Sequence, residues 1–219
     1  MKAVLVRPKF DEVTPYTFAF AAEILQWCQE AGIFVVDLVE GEAVKQRVEE
    51  ELSKGFDLFI HYDHGNETAL IGQDEKAVID LSNCHLLGSK ETYTLACLSA
   101  KSLGVEVWRK GGKYWGYTEV VSFTTDALPE FQEAFNCGFH YRFIESDSHQ
   151  NALNRAKEVF TRLSLELVNA GNIFAALCMR QNRDSLVYYN AHTPEEEKKG
   201  CLPALLKLPR LIFSKHSRN

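Results

Sequence analysis

The sequence predicts an α/β protein, a three-layer sandwich with a mostly parallel central sheet and helices on both faces. Three observations carry this. Short runs rich in Val, Ile, Leu and Phe alternate with longer segments of helical periodicity through the first 62 residues. The runs are almost continuously apolar, as strands are when both faces of their sheet are covered. Glycines 32 and 55 stand where the first two helical patterns stop.

The elements follow in order. "KAVLVRP" is a first strand, ended by Pro8. In "TPYTFAFAAEILQWCQEAG", Thr14 reads as an N-cap with Pro15 at the first helical position. Phe18, Ala21, Ala22, Leu25 and Cys28 then recur at helical spacing. "IFVVDLVE" is a second strand. "EAVKQRVEEELSKG" is a helix with Val44, Val48 and Leu52 on one side. "FDLFIHY" is a third strand. A loop follows, with a short helical turn expected at "LSNCHLLG", and "KETYTLACLSA" is a fourth strand. Gly111-Gly112 reads as a turn between two extended segments, "EVWRK" and "KYWGYTEVVSF". "ALPEFQEAFNCGF" is a helix. "SHQNALNRAKEVFTRLSLELVNAG" is a long one, with Ser148 as N-cap and Gly171 as its stop. The stretch from residue 172 is a short helix or a strand, followed by an extended "SLVYYN". No internal repeat or low-complexity linker divides the chain. The expected organisation is one α/β domain over 1–219, with residues 147–219 forming a helical C-terminal part and a basic tail.

Composition narrows the class. Of 219 residues, 46% are hydrophobic and 25% charged, the balance of a globular chain. The formal net charge of -6 argues against a nucleic-acid surface, which needs clustered Lys and Arg. No apolar run reaches the roughly 18 residues that span a bilayer. The start "MKAVLVRPKF" reads as a strand rather than a signal peptide. The expected location is therefore cytoplasmic, without membrane or nucleic-acid partners. The six cysteines are scattered and form no C-x-x-C pair, so they suggest buried thiols rather than a zinc site.

Ligands of open α/β sheets bind beyond the carboxyl ends of the strands. Two such ends carry reactive residues here. The third strand runs into His64, and the fourth ends at Cys97. Paired side by side, about 4.8 Å apart, those strands would bring an imidazole near a thiol. Gly65 lets its N–H approach a substrate closely, and with the N–H of Cys97 it could form an oxyanion hole. "LSAKSLG" after Cys97 reads as a helix start, which would favour the thiolate. His61, inside the strand, reads as buried support. Asp63 either orients the histidine, binds a basic side chain or is a solvated turn residue. The neighbours Cys84 and His85 point apart, and Cys137 and Cys178 read as core.

The blocks "LFIHYDHGN" and "YTLACLSAKSLG", at the ends of consecutive strands, resemble the signature of the caspase-like (clan CD) cysteine peptidases. The forms Y-x-H-G-N and A-C-x-S-A-x-x-L-G are most similar to the gingipain and CHAT branches. The resemblance covers roughly residues 1 to 125. It implies a caspase-like fold and a cysteine endopeptidase with Cys97 as nucleophile and His64 as acid/base. It implies a Cys–His dyad without an obligatory third acid, and scissile-carbonyl binding by N–H groups near Gly65 and Cys97. No cofactor or metal is implied. The implied partners are a peptide or protein substrate and, for regulation, a separate protein chain.

Peptidases of this family select the P1 residue through a pocket built partly from the segment after the catalytic strand. Trp115 and Tyr117 could wall it, with Glu119 or Asp126 at its base and Asp63 contributing. That pocket would attract Arg or Lys. The competing expectation is that both aromatics pack the sheet and both acids are solvated. Two other functions compete. One is an inactive caspase-like scaffold or interaction protein. The other is a Rossmann-like nucleotide binder, disfavoured because "RPKFDEVTP" after the first strand holds no glycine.

Overall fold

A computed structural model describes residues 1–190. Its centre is a six-stranded sheet in the order β2-β1-β3-β6-β7-β8. β1 (Lys2–Arg7) lies between β2 (Phe34–Val39) and β3 (Leu58–Tyr62), parallel to both. β6 (Glu91–Leu95) is parallel to β3, and β7 (Lys113–Tyr117) is parallel to β6. β8 (Leu186–Tyr189) closes the edge antiparallel to β7. The chain is therefore α/β with a mostly parallel sheet, as its near-continuous apolar runs predict.

Alternation along each strand builds two cores. From β1, Ala3 and Leu5 face one side with Ile60, Tyr62, Tyr93 and Trp115. This side is covered by α1 (Thr14–Glu30), α4 (Leu128–Phe139), α5 (His149–Asn169) and α6 (Ile173–Ser185). Val4 and Val6 face the other side with Phe59 and Tyr114. There α2 (Lys45–Ser53) and α3 (Leu103–Arg109) contribute Val48, Leu52, Leu103 and Val107. Buried Asn136 ties the first core together. Its side chain accepts from Tyr62 Oη (2.7 Å) and donates to Phe20 O (2.8 Å), so the amide is satisfied without water. Gly138 lets α4 close on the sheet, because a Cβ there would stand 2.3 Å from Trp115 Cζ2.

Several expectations need correction. A two-stranded antiparallel hairpin, β4 (Ala69–Ile71) and β5 (Ala77–Asp80), occupies part of the stretch read as a loop. "EVWRK" is not extended: its first four residues complete α3, because Leu103 and Val107, one turn apart, bury one face against the sheet. The helix after Cys97 begins only at Leu103, so the thiol has no helix N-terminus beside it. Thr14 is inside α1. Val13 takes the N-cap position without a side-chain cap, and ahead of it Asp11 Oδ1 accepts from Val13 N–H (2.9 Å) and Thr14 N–H (2.8 Å) in a turn that leads into the helix. The stretch from residue 172 resolves into α6 and then β8, which joins the central sheet. The basic tail and Cys201 lie outside the described residues. Among the described residues, no helix is long and apolar enough to cross a membrane.

Candidate active site

The register of β3 and β6 decides what meets at their carboxyl ends. Tyr62 is paired with Leu95. His64 and Cys97 each follow that pair by two residues. Asp63 N–H still donates to Leu95 O (3.2 Å), so the ladder continues one step past the strand. The His64–Gly65 turn then lies directly on the Ala96–Cys97 backbone. A Cβ on Gly65 would stand 2.9 Å from Ala96 Cβ and 3.2 Å from Cys97 O, so only glycine fits without a shift. The bridge between Gly65 and Leu70 is held by Asn66 N–H to Ala69 O and Ile71 N–H to His64 O. Gly65 N–H takes no part in it.

After Cys97 the chain turns sharply. Leu98 has φ of 59°, a left-handed conformation that is costly for a bulky side chain. Its N–H donates to Glu119 O (3.0 Å), which holds the turn. The thiol therefore stands two residues past the end of β6, half-buried at the carboxyl end of the sheet.

His64 and Cys97 line one cavity of about 320 Å³. Leu95, Val121 and Phe123 form apolar walls, and the exposed Val13 and Val120 also line it. Burial pushes the Cys97 thiol up, with Val121 N–H and the residue's own N–H opposing it. Val121 N–H stands 3.3 Å from the sulfur. The thiol is therefore the resting form at neutral pH, and a base must remove its proton on attack.

His64 has a partner the sequence reading missed. Asp11 Oδ2 lies 2.6 Å from His64 Nε2. Asp11 sits on the loop between β1 and α1, which passes over the same sheet edge. Burial pushes its carboxyl up, but Thr14 N–H, His64 and Val13 N–H outweigh that and bring it down to about 2. Ionised Asp11 holds the proton of His64 on Nε2, which leaves Nδ1 free to accept. Position was the available signal: an aspartate in a loop beyond a strand's carboxyl end, where open sheets bind ligands.

Asp63 also lines the cavity, and it is not a solvated turn residue. It is 4% exposed, and among the described residues neither carboxyl oxygen has a well-formed hydrogen bond. Burial pushes its pKa up to about 8. His64 N–H opposes that rise, and the charge of Asp11 adds to it. His61 is buried completely. Its Nε2–H donates to Ile71 O (2.8 Å), tying β3 to the hairpin, and burial lowers its pKa to about 4. It is a neutral structural histidine.

The other expected pocket residues are elsewhere. Trp115 and Tyr117 are buried in the aromatic core, Trp115 stacked on Tyr93 at 5.2 Å. Their strand ends before the cavity, so their side chains point into the sheet's helical layer. Glu119 and Asp126 are exposed, Asp126 bonded to Asn172, and neither lines the cavity. A larger cavity of about 650 Å³ is walled by helices and includes Cys137 and His140. Burial pushes that thiol up to about 12, and the adjoining Arg155 is already paired with Glu145 and Asp147. We therefore place the candidate site at the strand ends. No family model matches the chain, and no curated protein matches it.

Proposed function

We propose that the protein is a cysteine endopeptidase of the caspase-like kind, acting through Cys97 and His64. One observation carries the reading: paired neighbouring strands deliver both residues, 33 positions apart in sequence, to a single cavity. On substrate binding, His64 Nδ1 takes the thiol proton and the sulfur attacks the scissile carbonyl carbon. The oxyanion that forms accepts hydrogen bonds from the N–H groups of Gly65 and Cys97. Collapse expels the amine, which takes the proton from His64, and leaves a thioester on Cys97. Water then attacks the thioester, giving its proton to His64. Release of the carboxylic acid returns that proton to the thiol. Asp11 orients the imidazole and stabilises its charged form.

A second reading, an inactive scaffold that binds a partner protein, is favoured by the burial that raises the Cys97 thiol. An electrophilic peptide probe, mapped by mass spectrometry across a P1 series, separates the two. The peptidase reading expects one adduct, on Cys97, that His64→Ala slows, and cleavage that Cys97→Ala abolishes. Labelling of Cys97 no faster than a free thiol, with no peptide cleaved, leaves the scaffold.

A further inference from the structure

The larger cavity, about 650 Å³, has no part in the peptidase reading. Its walls come from α1, α4, the turn after α4, and α5, so none of it belongs to the strand ends. Its volume falls within the range of about 300 to 1,000 Å³ that small-molecule pockets occupy. Leu128, Pro129 and the rings of Trp27 and Tyr141 supply apolar wall. Neighbours hold both rings. Arg155 lies over Tyr141 at 3.7 Å, and Trp27 meets His140 in a T-shaped contact at 4.8 Å.

The charges around the cavity do not cancel. Three carboxylates and one guanidinium line it. Arg155 is taken by Glu145, and by Asp147 outside the lining. Glu145 also holds His140 Nδ1 at 3.1 Å. Glu133 is paired with Arg162, which is not part of the wall. That leaves Glu23. Its partner is a neutral amide: Asn136 Nδ2 donates to Oε2 at 2.8 Å. The amide is fully buried and is itself fixed by Tyr62 Oη and Phe20 O. One oxygen of Glu23 is therefore anchored to the core, and the half-buried carboxylate has no ion-pair partner among the described residues. An anion would find no spare base here, since Arg155 and His140 are both bonded to Glu145.

We propose that this cavity binds a small organic cation, an ammonium group carried on an aromatic body. The charge sits against Glu23, and the body packs against Trp27, Leu128 and Pro129. Anchoring through Asn136 holds the carboxylate in place before the ligand arrives, which lowers the ordering cost of binding. The site stands whether or not Cys97 cleaves peptides.

The test titrates isotope-labelled protein at pH 7, followed by amide and indole NMR. The ligands are tryptamine and two isosteres, neutral tryptophol and anionic indolepropionate. Tryptamine should shift the indole N–H of Trp27, assigned through Trp27→Phe, together with backbone amides of α4. Its Kd should be about tenfold lower than that of tryptophol, and indolepropionate should bind more weakly still. Glu23→Gln keeps an oxygen for the Asn136 amide and should raise the tryptamine Kd to the tryptophol value. The wild-type series of three ligands reads the same question if that variant does not fold. Equal Kd values for amine and alcohol, or an amine affinity that Glu23→Gln leaves unchanged, overturn cation recognition. Shifts confined to residues outside the cavity, or none with any ligand, overturn the site itself.

Discussion

At the start of β6, the side chain of Glu91 is 12% exposed and well supplied with partners. Arg142 grips it with two hydrogen bonds (2.8 and 3.0 Å), Tyr188 Oη donates to it (2.9 Å), and His149 Nε2 lies 3.3 Å away. Beyond the far end of the neighbouring strand, Asp63 is more deeply buried and has no partner cation among the described residues. Burial pushes both carboxyls up. At Glu91, His149 and Arg142 overcome it and hold the pKa down at about 2; at Asp63 it stays up at about 8. The amino end of the sheet is therefore an internally neutralised fastening, which pins α5 and β8 to β6. The carboxyl end keeps an acid that stays protonated for want of a cation among the described residues. The same residue chemistry gives stability at one edge and an unmet demand at the other.

The two acids predict opposite responses of stability to pH, with the larger at Asp63. Its folded pKa is above its unfolded value of about 4, so between about pH 4 and 8 the folded state binds the extra proton. Stability then falls as pH rises through that window. At ~1.4 kcal/mol per unit over about four units, the loss is on the order of 5 kcal/mol. Chemical denaturation of wild type and Asp63→Asn across pH 4 to 8 should show the variant gaining on wild type by that amount. A constant difference would mean that Asp63 is ionised in the folded protein.

Glu91 works in the other direction. Its folded pKa is depressed, so its contribution is present above about pH 4.5 and is lost as pH falls toward 2. Glu91→Gln should cost about 3 kcal/mol at pH 7 and much less at pH 2.5, read by the same denaturation series. Labelling of Cys97 should be unchanged, because the fastening lies at the opposite end of β6. A Glu91→Gln protein that keeps its stability but loses Cys97 labelling would erase the distinction between the two edges.

How much of this was legible in sequence follows from which contacts are local. Strands buried on both faces announce themselves by continuous apolar runs, so β1 and β3 were readable, and β2 kept such a run although it lies at the half-exposed edge. The hairpin was not, because β4 has three residues and β5 four, too short for a pattern. α3 was misread because Val105, Val107 and Trp108 look strand-like, while tertiary burial of Leu103 and Val107 decides the outcome. His64, Gly65 and Cys97 stood out because a strand end is where chemistry collects, and all three lie there. Burial of Asp63 and the reach of Asp11 across 53 residues depend on loop paths that no local pattern encodes.

Asp11 gives the smallest of the predicted effects, and the one that most sharpens the contrast between the two edges. Its side chain and that of His64 are each more than a third exposed, so water screens the pair, unlike the Glu91 cluster. Asp11→Asn preserves an oxygen that can still accept from Val13 N–H and Thr14 N–H, so the turn into α1 and stability should change little. The negative charge on the imidazole is what disappears, and the amide can offer His64 an N–H that reverses its tautomer. Turnover should then fall roughly ten- to a hundredfold, in kcat rather than KM, because the charge acts when His64 becomes positive. An undiminished kcat in Asp11→Asn would mean that His64 works without the charge beside it, and that Asp11 serves only the turn ahead of α1.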